Sequence, residues 1–199
     1  MANWACTDYI IEGPEEALTK ITEAIKHPVV TPDSDKGWEG NVLNTLGIKW
    51  EGRQPDGSGY YMRGFIQDAE DIGFIPSTDK YLSFWAEEAW GATDFSDALM
   101  EAFPDIKVYY CTVEECDAVY ATNDREGKYF EYRWHVDTCI NGNYMYEDFV
   151  DKDSAYRWLS DNTDRKIKNE KDVEEFNSNA DVSDTLDEDY ISIHEYSIV

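Results

Sequence analysis

The segment from Tyr81 to Phe103 constrains the fold of this chain more than any other part of it. Residues 80–88 are rich in aromatic and apolar side chains, which is typical of a β-strand. Asp94 then precedes apolar residues spaced three and four apart, a pattern that predicts a helix with Asp94 as its N-cap. Pro104 ends this helix, and residues 106–111 predict the next strand. The segment therefore predicts the order strand, helix, strand.

The preceding residues extend this order to a complete βαββαβ unit. Residues 4–12 predict a strand, and Gly13-Pro14 begins a helix, since proline is favoured in the first helical turn. Apolar residues line one face of that helix, and His27-Pro28 ends it. Residues 60–69 predict a strand that pairs with the strand at 80–88. We therefore predict an α+β fold with a ferredoxin-like core and a mainly antiparallel sheet.

Three further strand candidates follow the core, at residues 118–122, 129–136 and 143–149. In the middle candidate apolar residues alternate with polar ones, which predicts that Val136 is buried and that its neighbour His135 faces water. Turns with glycine are predicted at residues 124–127 and at Asn141-Gly142. We expect these strands to extend the core sheet as a meander. Helices are then predicted at 153–162 and 170–176, and a last strand at 190–196.

We predict a single domain over residues 1–199. Its ferredoxin-like core covers about residues 1–113, with an insertion at about 27–59 that includes a short helix near residues 41–46. The meander extension covers about 117–150, and the C-terminal helices and strand cover about 151–199.

The composition, 42% hydrophobic and 15% aromatic, is sufficient for a substantial core. No apolar run approaches the roughly 20 residues that cross a bilayer, and the first residues lack the basic and apolar regions of a signal peptide. The four cysteines have no CxxC spacing, which favours reduced thiols over a disulfide framework. These features predict a cytoplasmic protein that does not bind membranes.

The net charge is −26, from 43 acidic and 17 basic residues. Residues 161–199 contain 12 acids and 4 bases, so the acidity is not confined to the C-terminal part. Such a charge repels phosphate backbones and anionic lipids, which argues against direct nucleic-acid binding. It would attract a basic protein or a cation, although net charge also serves solubility alone.

Four aromatic or helix-end motifs are characteristic of a known family. They are Met1-Ala2-Asn3-Trp4, Glu88-Ala89-Trp90-Gly91, Phe103-Pro104-Asp105 and the tyrosine-rich strand that follows. Over about residues 1–137, outside the insertion, the chain resembles the YubB-like ferredoxin-fold family. Its members are small bacterial, plasmid and phage proteins without an established activity. The resemblance implies a ferredoxin-like fold and a bacterial or mobile-element origin, and it supplies no catalytic residues.

Acidic residues are the weak candidates for catalysis. Glu87 and Glu88 could act as a general acid and base, but neighbouring strand residues point to opposite faces and cannot hold one substrate together. Pairing of either one with a carboxylate elsewhere stays open. The turn at Asn141-Gly142 sets a register that places His135 opposite Asp148. The alternative function is therefore a hydrolase or metal-dependent enzyme that uses acids such as Glu87, Asp137 and Asp148, with His135 as a partner.

Metal ligands and cofactor motifs are also weakly represented. A C-x4-C and H-x3-C series contains a zinc ligand set, in which His135 and Cys139 could converge: Cys111, Cys116, His135 and Cys139. The spacing is not that of a recognised zinc motif, so buried thiols acting as small apolar groups are the default interpretation. Residues 177–188 imitate a calcium loop but have Val182 at the glycine position, and residues 33–37 imitate one with the glycine a place too early. No glycine-rich phosphate loop is present, and we predict no cofactor.

The function predicted from these features is non-enzymatic binding, in which the acidic surface engages a basic protein. A sharper version is DNA mimicry, in which carboxylates imitate phosphates to occupy a DNA-binding protein. The 7 tryptophans and 14 tyrosines either fill the core or form an aromatic patch on the sheet face that carries no helix. The sequence leaves the oligomeric state open.

Overall fold

The computed structural model describes residues 3–32, 34–50, 52, 59–116, 118–178 and 189–199. Its residues group into two compact units, one of residues 1–125 with Val199 and one of residues 126–198. The boundary lies inside the predicted extension at 117–150. The single domain expected from the sequence stays a prediction. Secondary structure is mixed, with helices and two mainly antiparallel sheets.

The first unit contains five strands and three helices among its described residues: β1 (Trp4–Glu12), α1 (Glu15–Lys26), α2 (Glu39–Thr45), β2 (Gly64–Ile66), β3 (Leu82–Ala89), α3 (Phe95–Ala102), β4 (Lys107–Glu114) and β5 (Val119–Thr122). The strands pair in the order β2-β3-β1-β4-β5, and every pair is antiparallel. Strand β1 is central because it pairs with both β3 and β4.

Strict alternation along β1 and its neighbours separates a core face from an outer face. In β1 the core face carries Tyr9 and Ile11, which are fully buried, whereas Asp8 on the other face is exposed. The apolar face of α1 adds Leu18, and α3 adds Phe95 to the same core. The side-chain period of two in a strand and the spacing of three and four in a helix thus place these residues together, as the sequence predicts.

The first unit differs from the predicted elements in details that have local causes. Strand β2 has only three residues instead of spanning 60–69, since Asp68 has φ of 50° in a turn that ends the extended backbone. Asp94 is at the N-cap of α3, but its carboxylate accepts from the backbone N–H of Tyr61 at 2.6 Å and makes no cap hydrogen bond. Helix α2 begins two residues before the predicted Asn41, and Gly47 with φ of 73° follows its end.

The second unit contains β6 (Trp134–Ile140), β7 (Asn143–Phe149), α4 (Lys152–Asn162), α5 (Glu170–Ser178), β8 (Tyr190–Glu195) and the two-residue β9 (Ser197–Ile198). Strand β6 is central in an antiparallel sheet of order β7-β6-β8. Its core is formed by Val136 and Ile191 of the sheet with Leu159 of α4 and Phe176 of α5. The predicted helices and last strand of this region are confirmed.

The prediction of one meander that extends the core sheet was wrong. Strand β5 joins the first sheet, whereas β6 and β7 belong to the second. Residues 129–133 are not a strand, and within this segment Nη1 of Arg133 donates to the carbonyls of Phe130 and Tyr132 at 2.6 and 2.8 Å. His135 was expected to face water, but it is only 5% exposed.

The turn between β6 and β7 confirms the prediction for Asn141-Gly142. Both residues have positive φ, 52° and 74°, as a type I′ hairpin requires. Its register pairs His135 with Asp148, as expected. Within the described part of the chain, no helix has both the length and the apolar character to cross a bilayer.

Candidate functional site

Glu87 and Glu88 lie on opposite faces of β3, as predicted from their adjacency. Glu87 is exposed, whereas Glu88 is fully buried on the core face. The two carboxylates therefore do not act on a common substrate. Glu88 instead meets a second acid, Glu39, the first residue of α2, which is also fully buried. The pairing with a distant carboxylate that the sequence leaves open thus involves Glu39.

Three hydrogen-bond donors converge on this buried acid pair. Oε1 of Glu88 accepts from the hydroxyl of Tyr9 at 2.8 Å and from the backbone N–H of Thr93 at 2.9 Å. The hydroxyl of Thr93 donates to Oε2 of Glu39 at 2.8 Å. Gly64, which pairs with Glu88 across β2 and β3, has no side chain and leaves room for the Glu39 carboxyl. The two acids, on α2 and β3, are therefore held by donors from β1 and from the loop before α3, beside Gly64 of β2.

The electrostatics of the acid pair follow from its burial. Burial, then the charge of Glu88 and a hydrogen bond to it, raise the pKa of Glu39 well above its usual value, while the Thr93 hydrogen bond lowers it less. Burial and the same two carboxyls raise the pKa of Tyr9, which stays a phenol. The acid pair and Tyr9 are thus enclosed, since all three side chains are fully buried.

Sequence reasoning did not find Glu39. The helix was predicted to begin at Asn41, so Glu39 lay in an irregular stretch with no apolar spacing around it. Charged residues are seldom fully buried unless they are paired, and the partner here is far away in sequence. No local signal marks Glu39 as a buried residue.

The outer face of the first sheet combines aromatic rings with carboxylates. We define the open face as Trp4, Cys6 and Asp8 of β1, Phe65 of β2, and Trp85 and Glu87 of β3, which cross-strand pairing places on the side opposite to the core. The indole of Trp4 is 45% exposed and its centroid lies 5.8 Å from that of Phe65. Asp8 faces Trp85, and Cys6 faces Glu87. The predicted aromatic patch on this side of the sheet is thus present, with acids inside it.

Burial raises the pKa values of two side chains on the open face, Cys6 and Asp8. Burial and then the charges of Glu87, Asp8 and Glu115 raise the pKa of the Cys6 thiol. Because the thiolate is the reactive form, Cys6 is a poor nucleophile in this setting. Desolvation raises the pKa of the Asp8 carboxyl as well, so a cation that neutralises Asp8 would relieve an unfavourable charge. The open face is suited to bind cations and not to attack substrates.

The second unit brings together two histidines and two aspartates on the face of its sheet that lies away from α4 and α5. Nδ1 of His135 lies 2.8 Å from Oδ1 of Asp148, which also accepts from the hydroxyl of Tyr196 at 3.1 Å. On the neighbouring strand, Nε2 of His194 lies 3.4 Å from Oδ2 of Asp137. The two imidazole centroids are 6.5 Å apart. The predicted pair of His135 and Asp148 therefore forms.

A nucleophilic triad does not follow from this cluster. Oγ of Ser192 lies 2.7 Å from Nε2 of His194, the same nitrogen that faces Asp137. A catalytic histidine uses one nitrogen for the nucleophile and the other for the orienting carboxylate. Here one nitrogen serves both, so His194 cannot accept a proton from Ser192 while it is oriented by Asp137.

The candidate zinc ligands are divided between the two units. Cys111 and Cys116 belong to the first, on β4 and just after it, and His135 and Cys139 lie on β6 of the second. Four residues along a strand span about 13 Å, whereas zinc bonds are about 2.0–2.3 Å long. His135 and Cys139, which share a face of β6, are therefore too far apart along the strand to bind one zinc ion. In the residues that the structure describes, no group of three or more His, Cys, Asp or Glu is placed to hold a metal.

The calcium-loop candidates are not located by the structure. Residue 33 and residues 179–188 lie outside the described residues, so both imitations of a calcium loop stay predictions. A cavity of ≈ 780 Å³ is lined by α1 and by the ends of α2 and α3, including Lys20, Glu23 and His27. Neither Glu87 nor Asp148, the candidate catalytic acids, lines this cavity.

Comparison with known proteins does not identify a family for this chain. No protein family, curated protein or solved structure matches this chain. The resemblance to the YubB-like family therefore stays a prediction.

Proposed function

We propose that this protein is a non-enzymatic binding protein that holds a basic protein segment, rich in arginine, on the open face of its first sheet. The observation that carries this proposal is the alternation of carboxylates with aromatic rings on that face, where Asp8 pairs with Trp85 and Phe65 pairs with Glu87. A guanidinium can stack on an aromatic ring and bind a carboxylate with the same planar group. The open face offers both partners at neighbouring strand positions.

The charge of the chain supports a basic partner. Residues 1–125 contain 24 acids and 9 bases, net −15, and residues 126–198 contain 19 acids and 8 bases, net −11. Such a field raises the association rate of a cationic partner and repels nucleic acid. The chain itself places a guanidinium over an aromatic ring at two described positions: Arg63 lies 4.9 Å from the ring centroid of Trp90, and Arg165 lies 5.0 Å from that of Phe176. DNA mimicry is the version of this proposal in which the partner is a DNA-binding protein.

We also propose that the first unit is a ferredoxin-like core of the YubB-like type. The order βαββαβ, the strand order β2-β3-β1-β4 and antiparallel pairing throughout support this assignment. In this assignment β5 is an added edge strand, and α2 belongs to the insertion. A bacterial or mobile-element origin and a cytoplasmic location are part of the same proposal.

Calorimetric titration with two short peptides of equal charge, one rich in arginine and one rich in lysine, tests the binding proposal. We expect the arginine peptide to bind more tightly, because only the guanidinium stacks well on the rings. The Glu87→Gln variant should weaken binding of the arginine peptide by about 1.5- to 5-fold, since an exposed ion pair contributes about 0.2–1 kcal/mol and the aromatic rings stay in place.

The matched control is Glu15→Gln, which removes the same charge from an exposed residue at the start of α1. If both variants weaken binding equally, the interaction is a general effect of net charge and the open face is not the site. Equal affinity for the two peptides would also refute the role of the aromatic rings. Binding that survives high salt without loss would contradict the electrostatic part of the proposal.

A further inference from the structure

The buried acid pair, Glu39 and Glu88, has a specific gap in its hydrogen bonds. Oε1 of Glu88 has two donors, and Oε2 of Glu39 has one. The remaining oxygens, Oε1 of Glu39 and Oε2 of Glu88, are buried and have no donor. Two buried oxygens without donors are costly, because each has given up its hydrogen bonds to water and gained none in the protein. One proton between the two carboxyls would satisfy both oxygens at once.

We propose that Glu39 and Glu88 form a buried binding site for a single proton, which joins the start of α2 to β3 and makes the stability of the first unit depend on pH. The proton resides on Glu39, and Oε1 of Glu39 donates to Oε2 of Glu88. Each of the four carboxyl oxygens then takes part in a hydrogen bond. Thr93, in the loop before α3, donates to both acids.

The hydrogen-bond donors decide which acid keeps the proton. Glu88 accepts two hydrogen bonds from Tyr9 and the Thr93 amide, and such donors stabilise a carboxylate. Glu39 accepts only one, from the Thr93 hydroxyl, and is fully buried. Burial and the neighbouring charge of Glu88 accordingly raise the pKa of Glu39 well above its usual value.

Among the described residues, no cation is a cause of the pKa shift of Glu39, so no positive charge helps both acids to ionise. Tyr9 of β1 and Tyr110 of β4 are phenols whose pKa values are raised in part by Glu88, after burial as the larger cause for both. Asp97 and Asp94, at the start of α3, also raise the pKa of Tyr110, so they add negative charge to this region. Before β2, the guanidinium of Arg63 lies over the ring of Trp90. A second charge in the pair would therefore be opposed from several elements.

The sign of the pH effect follows from these contacts. In the unfolded chain Glu39 titrates near its ordinary pKa of about 4.3. The folded state retains the proton at higher pH, so unfolding releases it, and stability falls as pH rises from about 4.3 to the folded pKa of Glu39. Below about pH 4 the site contributes no pH dependence, and above the folded pKa the loss is complete.

The Glu39→Gln variant tests the proposal, because its amide can donate to Glu88 and its carbonyl can accept from Thr93 without titrating. Between about pH 5 and the folded pKa, the unfolding equilibrium constant of the wild type should rise tenfold per pH unit relative to that of the variant, equal to about 1.4 kcal/mol. The Glu87→Gln variant, one residue along β3 on the open face, should keep the wild-type pH dependence. Urea titrations at a series of pH values measure both.

Infrared spectroscopy of the wild-type protein provides a second measurement that does not depend on the folding of a variant. At about pH 5–6, above the ordinary glutamate pKa of about 4.3, we expect a carbonyl band of a protonated carboxylic acid that Glu87→Gln retains and Glu39→Gln removes. Absence of that band in the wild type would overturn the proposal. Parallel pH curves of the wild type and Glu39→Gln would overturn it as well.

Discussion

Substitution of Gly64 by alanine tests the packing of the acid pair most directly. A Cβ at this position would lie 2.4 Å from Oε1, 2.5 Å from Cδ and 2.6 Å from Oε2 of Glu39, all too close for real contacts. Gly64 does not have positive φ, so the backbone itself accepts alanine. Any destabilisation therefore reports on the space that the Glu39 carboxyl occupies.

The magnitude follows from what the Glu39 side chain must give up in Gly64→Ala. The carboxyl can swing away only by leaving Thr93, whose hydroxyl binds it at 2.8 Å, and by leaving its place beside Glu88. Breaking a buried hydrogen bond costs about 1–3 kcal/mol, and overpacking costs about 1–3 kcal/mol. We expect the free energy of unfolding to fall by about 2–5 kcal/mol, measured by urea titration with an unchanged m-value.

Two further variants make the Gly64 experiment decisive. Gly73→Ala is the matched control, since a Cβ there meets nothing within 4 Å, and its effect should be below about 0.5 kcal/mol. In a Glu39→Ala background, Gly64→Ala should cost much less, because the obstructing carboxyl is gone. The reasoning is refuted if Gly64→Ala is as mild as Gly73→Ala, or if its cost is unchanged without Glu39.

Three other substitutions have expected costs that denaturant titration can measure. Tyr9→Phe removes one of two donors to Glu88 in a fully buried place and should destabilise the protein by about 1–3 kcal/mol; no loss would contradict the hydrogen bond. Gly142→Ala puts a side chain at φ of 74° in the β6–β7 turn and should cost about 1 kcal/mol, while a neutral result would argue against a type I′ turn. Asp148→Ala leaves His135, only 5% exposed, without its carboxylate partner and should cost about 1–3 kcal/mol, whereas an unchanged midpoint would show that their contact contributes no stability.

Local periodicity was sufficient to predict most elements of the first unit. The alternation in β1 and the spacing in α1 and α3 depend on which side of each element is apolar, and neighbouring residues alone carry that information. Turn chemistry was similarly informative, since Asn141-Gly142 fixed the register that pairs His135 with Asp148. The opposite orientations of Glu87 and Glu88 follow from the same period of two.

The choice of sheet for each strand was not available from local patterns. Strands β5, β6 and β7 each have a strand-like sequence, yet β5 pairs with β4 while β6 pairs with β7 and β8. Strand-forming residues specify an extended backbone with one buried face, and they do not specify the partner. Alternation also predicted a strand over residues 129–133, where the chain instead has hydrogen bonds from the Arg133 guanidinium to carbonyls of its own segment.

The Tyr81–Phe103 segment, by itself, determined a strand, a helix and the face that each buries, because these are properties of residues close together in the chain. Only the tertiary structure decided that Glu88, at the end of that strand, is buried against Glu39. Thr93 and Glu39 are 54 residues apart in sequence, and no pattern spans such a separation. A carboxyl group remains buried when distant donors and a second carboxyl surround it, and those neighbours are assembled only by folding.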